Sequence, residues 1–168
     1  MTTQTDVMTA LGYGADDLAE NRAGRLSAAQ RERLQRSARR ALLIGALIVI
    51  GIGLAATVLL YLGRVSDSTI LNIVGIALTV VNAVIVVVIA QNRGRITADL
   101  RAGTVSALTG TLTRTVRVQS RLVIYLLKVE NQEIQVSRVV FAAFTDGGRY
   151  RLYRTPASKT LVGAEALR

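Results

Sequence analysis

The sequence predicts a membrane α-helical hairpin of two transmembrane helices, followed by a small all-β domain with an SH3-like or OB-like barrel. Three observations lead there. Residues 41–63 and 69–91 each form a run of 23 residues without Asp, Glu, Lys or Arg. Only five residues separate the runs. Beyond the second run the apolar period shortens to two, which is the spacing of a half-buried strand.

A helix rises about 1.5 Å per residue, so each run reaches roughly 34 Å and can cross a hydrocarbon core of about 30 Å. The segments expected in order are a disordered leader at 1–14, a juxtamembrane helix-turn-helix at 15–40, the first span at 41–63 and an external loop at 64–68. The second span at 69–91, a linker at 92–103 and the β domain at 104–168 complete the chain.

Residues 1–14 are polar and poorly periodic, the pattern of a chain end that does not fold. Asp16 and Asp17 favour a helix start ahead of Leu18. Gly24 suits the left-handed position that ends such a helix. Ser27-Ala28-Ala29-Gln30 reads as a capping box, so a second helix is expected from Ala28 straight into the first span.

The pattern of an apolar helix, then Gly24-x-Leu26-Ser27-x-x-Gln30, then Leu34 covers residues 17–34. It resembles the short helix-turn-helix of the SHOCT type, and that resemblance implies a small protein-interaction element. The chain as a whole looks like uncharacterised small bacterial two-span membrane proteins, a likeness that brings no activity with it.

Charge sets the expected topology. The net charge is +10, with seven Arg and one Glu in residues 21–40 and thirteen bases against five acids in 92–168. Arg36, Arg39 and Arg40 precede the first span, and Arg93 and Arg95 follow the second. The positive-inside rule then puts both termini in the cytoplasm of a bacterial inner membrane and the Arg64 loop outside. The same arginines are candidate contacts for anionic lipid headgroups or a partner. Nucleic acid is not expected, because this cluster lacks interleaved aromatic residues and lies against a membrane.

Within the spans, Gly51 and Ala55 form a small-x-x-x-small pair suited to close helix packing. Asn72 and Asn82 are the strongly polar side chains of the second span and are candidate intramembrane packing points, or else points on a path through an oligomer. No charged group or histidine lies within either span, so a proton relay is not expected.

In the β domain, strands are expected at 108–118, 122–129, 133–144 (bent), 149–153 and 160–166. Asp146-Gly147-Gly148 marks a turn. Arg149, Arg151 and Arg154 alternate with Tyr150 and Tyr153, a pattern that fits either an anionic contact surface or an exposed strand with packed tyrosines. The chain has no His and no Cys, which removes the commonest general base, thiol nucleophiles and ordinary zinc sites. No catalytic constellation, metal site or cofactor motif is expected. Membrane lipids, a protein partner and a second copy of the chain are the partners to consider. The functional expectation is a non-enzymatic membrane anchor for a basic domain, with a channel or transporter subunit as the alternative.

Overall fold

The structure is a computed structural model that describes residues 4–119 and 122–167. The elements in chain order are α1 (Gln4–Leu11), α2 (Ala15–Arg22), α3 (Ala28–Val65), α4 (Thr69–Ala102), β1 (Ser106–Gln119), β2 (Leu122–Val129), β3 (Gln132–Val136), α5 (Arg138–Ala142), β4 (Arg149–Arg154) and β5 (Leu161–Leu167). They divide into two compact units. One combines residues 1–32 with 99–168; the other is residues 33–98.

The second unit is the helical hairpin, built from most of α3 and α4. Each helix is long and apolar enough to cross a bilayer. Their most apolar stretches have mean hydropathies of 2.7 and 2.9, and only 11% and 6% of those stretches is buried within the chain. A core helix of a soluble protein would be mostly covered, and these stretches are not.

The least exposed positions of the first run are Leu42, Gly45, Val49, Ile52, Ala56, Leu59 and Gly63, with Gly53 and Leu60 beside them. In the second run they are Leu71, Gly75, Leu78, Asn82, Ile85 and Ile89, with Asn72 alongside. Both series step by three and four, the seven-residue repeat of an antiparallel coiled-coil seam. Glycines let the seam close. A methyl group added to Gly75 would lie 2.7 Å from Leu60 Cγ, and one on Gly45 would lie 2.8 Å from Ile89 Cδ1.

The expected packing pair Gly51 and Ala55 is not part of this seam. Both are exposed, and nothing lies within 4 Å of a methyl added to Gly51. Four-residue spacing identified a small face, but seven-residue spacing decides which face meets the other helix.

The first unit joins both ends of the chain around an antiparallel sheet of order β3-β2-β1-β4-β5. β1 changes partner midway: Ser106–Thr111 pair with β4, and Leu112–Gln119 with β2. The turn at Gly147 and Gly148 secures the changeover through two 2.8 Å hydrogen bonds to the Leu112 backbone. Leu112, Leu127, Val129, Tyr150, Leu152 and Ala164 form one core with Val7 of α1 and with Val140 and Phe144.

Several expectations are corrected here. The segment at 1–14 is not a disordered leader over its described part: α1 puts Val7, 1% exposed, into the sheet's core, and Tyr13 is buried too. Residues 1–3 lie outside the described residues. The linker at 92–103 is the continuation of α4 to Ala102, followed by Gly103 with φ of +62°. The long bent strand at 133–144 is β3 followed by α5, with Ser137 capping the helix by accepting from Val140 N–H. The sheet is open, with β3 and β5 as edges, so the small barrel is not closed among the described residues.

The capping box at Ser27 and Gln30 is present in both directions. Gln30 N–H donates to Ser27 Oγ at 3.0 Å, and Ser27 N–H donates to Gln30 Oε1 at 3.2 Å. Gly24 takes the expected left-handed conformation, with φ of +75°.

Candidate functional site

The candidate site is a cleft of about 460 Å³ in the first unit, between β3 and the turn that joins β4 to β5. Glu133 to Ser137 line one side; Arg154 and Ser158 to Leu161 line the other. It combines apolar walls with convergent polar groups, the usual make-up of a binding cleft.

The β4–β5 turn is held by a set of hydrogen bonds. Asp99, near the end of α4 and 1% exposed, accepts the backbone N–H groups of Ala157 and Ser158, each at 2.7 Å. Burial is the largest single influence on its carboxyl and opposes the charge. Hydrogen bonds from Ser158, Ala157 and Thr155 together outweigh it and hold the group below the usual carboxylate range. Inside the turn, Thr155 Oγ1 and Ser158 Oγ are 2.8 Å apart, Ser158 Oγ and Thr160 Oγ1 are 3.0 Å apart, and Thr160 N–H donates to Thr155 Oγ1 at 3.0 Å. Lys159 follows with φ of +56°, a left-handed backbone that a side-chain-bearing residue adopts only when its surroundings impose it.

This order presents two cations. Arg154 and Lys159 both line the cleft, and neither makes an ion pair among the described residues. Across the cleft Glu133 lies 3.5 Å from Arg117, which partly neutralises its charge.

The sheet's two edges differ. The β5 edge is covered by side chains from the N-terminal segment. Gln30 Nε2 donates to Val162 O at 3.0 Å, Gln4 Nε2 and the Tyr13 hydroxyl donate to Ala164 O, and Ala166 N–H donates to Gln4 Oε1 at 2.9 Å. This is edge protection without a strand. Burial, the largest influence, raises the Tyr13 hydroxyl above its ordinary pKa. Arg22 pairs with Glu165 beside this edge and holds that carboxyl below its usual range.

The arginines of β4 do not form one patch. Arg154 enters the cleft, whereas Arg149 and Arg151 stand on the face that carries Thr109 and Thr111. Arg151 Nε donates to Thr109 Oγ1 at 3.4 Å. The tyrosines between them are packed. Tyr150 meets Phe144 edge-on at 5.0 Å and accepts Thr145 N–H, while Tyr153 donates to Glu165. Neither ring is a stacking platform.

In the hairpin unit, Arg36, Arg39, Arg40, Arg93 and Arg95 are all exposed. Arg36 and Arg40 share a helix face with Arg33 and Ser37. Arg93 ends a separate apolar groove of about 280 Å³ that includes Leu42, Ala46 and Ala90. Asn72 and Asn82 both face seam glycines. A methyl on Gly63 would lie 2.6 Å from Asn72 Oδ1, and one on Gly53 would lie 3.3 Å from Asn82 Nδ2. Asn82 Oδ1 is buried and has no hydrogen-bond partner among the described residues.

Asp99 and the Thr155 and Thr160 hydroxyls carried no expectation in the sequence. One signal was present: Asp99 is the lone acid among seven bases between residues 92 and 129. Comparison with protein-family models, with curated proteins and with solved structures finds no match for this chain.

Proposed function

We propose that this chain is a non-enzymatic inner-membrane anchor whose hairpin holds a small basic β domain at the cytoplasmic face, where the domain binds a protein partner or anionic lipid. The observation that carries the reading is the cleft beside β3, lined by Arg154 at the end of β4 and by Lys159 in the turn that Asp99 holds, neither in an ion pair among the described residues. A turn fixed by a buried carboxylate keeps its cations positioned before any partner arrives, which lowers the ordering cost of binding. The membrane-flanking arginines favour the inner leaflet. The SHOCT-type resemblance at 17–34 supports an interaction role for the same unit.

The alternative is a small subunit of an oligomeric channel or transporter. It draws on Asn82, whose buried carbonyl oxygen has no partner among the described residues. Two measurements on the full chain separate the readings. Retrieval in mild detergent is expected to bring down a defined partner, and proteoliposomes are expected to show no solute flux. Flux that Asn82→Leu abolishes without disturbing assembly would overturn the anchor reading.

A further inference from the structure

We propose that the open edge of β3 receives an extended, acidic peptide segment of a partner protein as an added strand, with its carboxylates held by Arg154 and Lys159. This rests on the reading of the β domain as a partner-binding unit, and it names the class of partner.

The two edges of the sheet carry the inference. Along β5 the backbone oxygens of Val162 and Ala164 and the N–H of Ala166 are already engaged by Gln30, Gln4 and Tyr13. Among the described residues β3 has no such cover. It pairs with β2 from Val129–Gln132 to Tyr125–Val136. The two-residue turn at Glu130 and Asn131 makes Val129–Gln132 a hydrogen-bonded pair. By alternation, Glu133 and Gln135 point their N–H and C=O groups away from β2. Both residues line the cleft. The domain therefore covers one edge with its own side chains and leaves the other beside an open volume.

The chemistry of the edge selects the occupant. An unpaired strand offers donors and acceptors in alternation, and an extended peptide answers both. A phosphate headgroup only accepts, so it would leave the outward carbonyls of Glu133 and Gln135 unmet. The cleft wall then sets the sign of the side chains. Arg154 and Lys159 face it without ion-pair partners among the described residues, while Glu133 is engaged by Arg117. Acidic side chains at alternate positions of the added strand would reach the two cations. The hydroxyls of Ser158 and Thr160 are occupied within the turn, so they hold the cations in place and contribute little selectivity of their own.

The test uses the full chain in nanodiscs of neutral phosphatidylcholine. The probe is an acetylated, amidated octapeptide alternating valine and glutamate, compared with its valine–lysine counterpart and with a form N-methylated at the amides that would face β3. The glutamate peptide is expected to bind about ten-fold or more tightly than either comparison peptide and to slow hydrogen exchange at the Glu133 and Gln135 amides. Gln135→Pro, and the pair Arg154→Gln with Lys159→Asn, are each expected to weaken it by about ten-fold. Asparagine is chosen at 159 because it tolerates the left-handed backbone. The N-methylated peptide tests the edge even if Gln135→Pro fails to fold.

Equal affinity for the glutamate and lysine peptides, or no binding by about 1 mM, would overturn the proposal. So would full affinity of the N-methylated peptide. Protection of the same amides by phosphatidylglycerol nanodiscs without peptide would assign the edge to lipid instead. If mild-detergent retrieval gives a partner whose binding ignores Gln135→Pro, the edge inference fails while the anchor reading stands. If no partner is retrieved and Asn82→Leu abolishes a measured flux, the anchor reading itself fails.

Discussion

Gln30 donates its side-chain Nε2 to the backbone oxygen of Val162, 132 residues away, at 3.0 Å. The same side chain completes the cap of α3 through its Oε1. One amide thus ends the turn before the long helix and covers the edge of the last strand. Through this bond and those of Gln4 and Tyr13, the two ends of the chain belong to one folded unit.

Gln30→Ala should therefore cost more than an ordinary helix cap. Both Val162 O and Ser27 N–H would lose their partners in a site where Gln30 is 3% exposed. A loss of about 2–4 kcal/mol is expected, the sum of a cap and an unsatisfied buried carbonyl. Hydrogen exchange across β5 and the start of α3 would measure it, and both regions should respond together.

Asp99 makes the turn at the cleft sensitive to acid. Its folded-state pKa lies below the ordinary value near 3.9, because hydrogen bonds to Ser158, Ala157 and Thr155 together outweigh burial. A depressed carboxylate contributes stability that is fully present above the unfolded pKa. That contribution is lost as pH falls from about 4 through the folded value. Asp99→Asn should remove this acid-dependent part and cost about 1–3 kcal/mol at neutral pH. Unfolding profiles of both chains between about pH 2 and pH 7 would show the gap narrowing toward acid.

The seam glycines and the outward glycine should respond oppositely. Gly75→Val drives its side chain into Leu60, and Gly63→Val drives one into Asn72. Each should separate the hairpin at a cost of about 1–3 kcal/mol. Gly51→Ala meets open space and should be neutral or stabilising by up to about 1 kcal/mol through helix propensity alone. Cross-linking of cysteines placed on facing turns of α3 and α4, in detergent of rising strength, would rank the three variants.

Asn82→Leu tests what the polar seam position does. The amide faces Gly53, and its Oδ1 has no partner among the described residues, so replacement loses little. The hairpin should keep its stability within about 1 kcal/mol. Its register should become less certain, since a polar residue at a seam position penalises slipped alignments. The spread of cross-linked products between the two helices measures that loss.

Much of the hairpin was legible because length and hydropathy are local properties. The cap at Ser27, the break at Gly24 and the turn at Gly147 were legible for the same reason: each is chemistry within four residues. Val7 and Tyr13 were not legible. The polar residues and glycines of 1–14 suggested a disordered end, and only the distant partners Leu112, Leu152 and Ala164 give α1 something to bury against. The helix α5 was hidden because Val139, Val140 and Phe141 suit a strand as well as a helix, and the Ser137 cap decided the outcome. Of the site, Arg154 stood out by its spacing. Asp99 did not, because its role depends on a turn 58 residues further along the chain.

Because residues from both ends of the chain share one folded unit, they are expected on the same side of any membrane the hairpin crosses. The chain contains no cysteine, so single cysteines can be introduced without removing others. The most direct measurement places one at Ala29, Thr109 or Val65, all exposed, and treats intact bacterial cells with a membrane-impermeant maleimide. Val65→Cys is expected to be labelled from outside, while Ala29→Cys and Thr109→Cys should react only after the cells are opened. Labelling of Thr109→Cys in intact cells, or a different response at positions 29 and 109, would contradict the account.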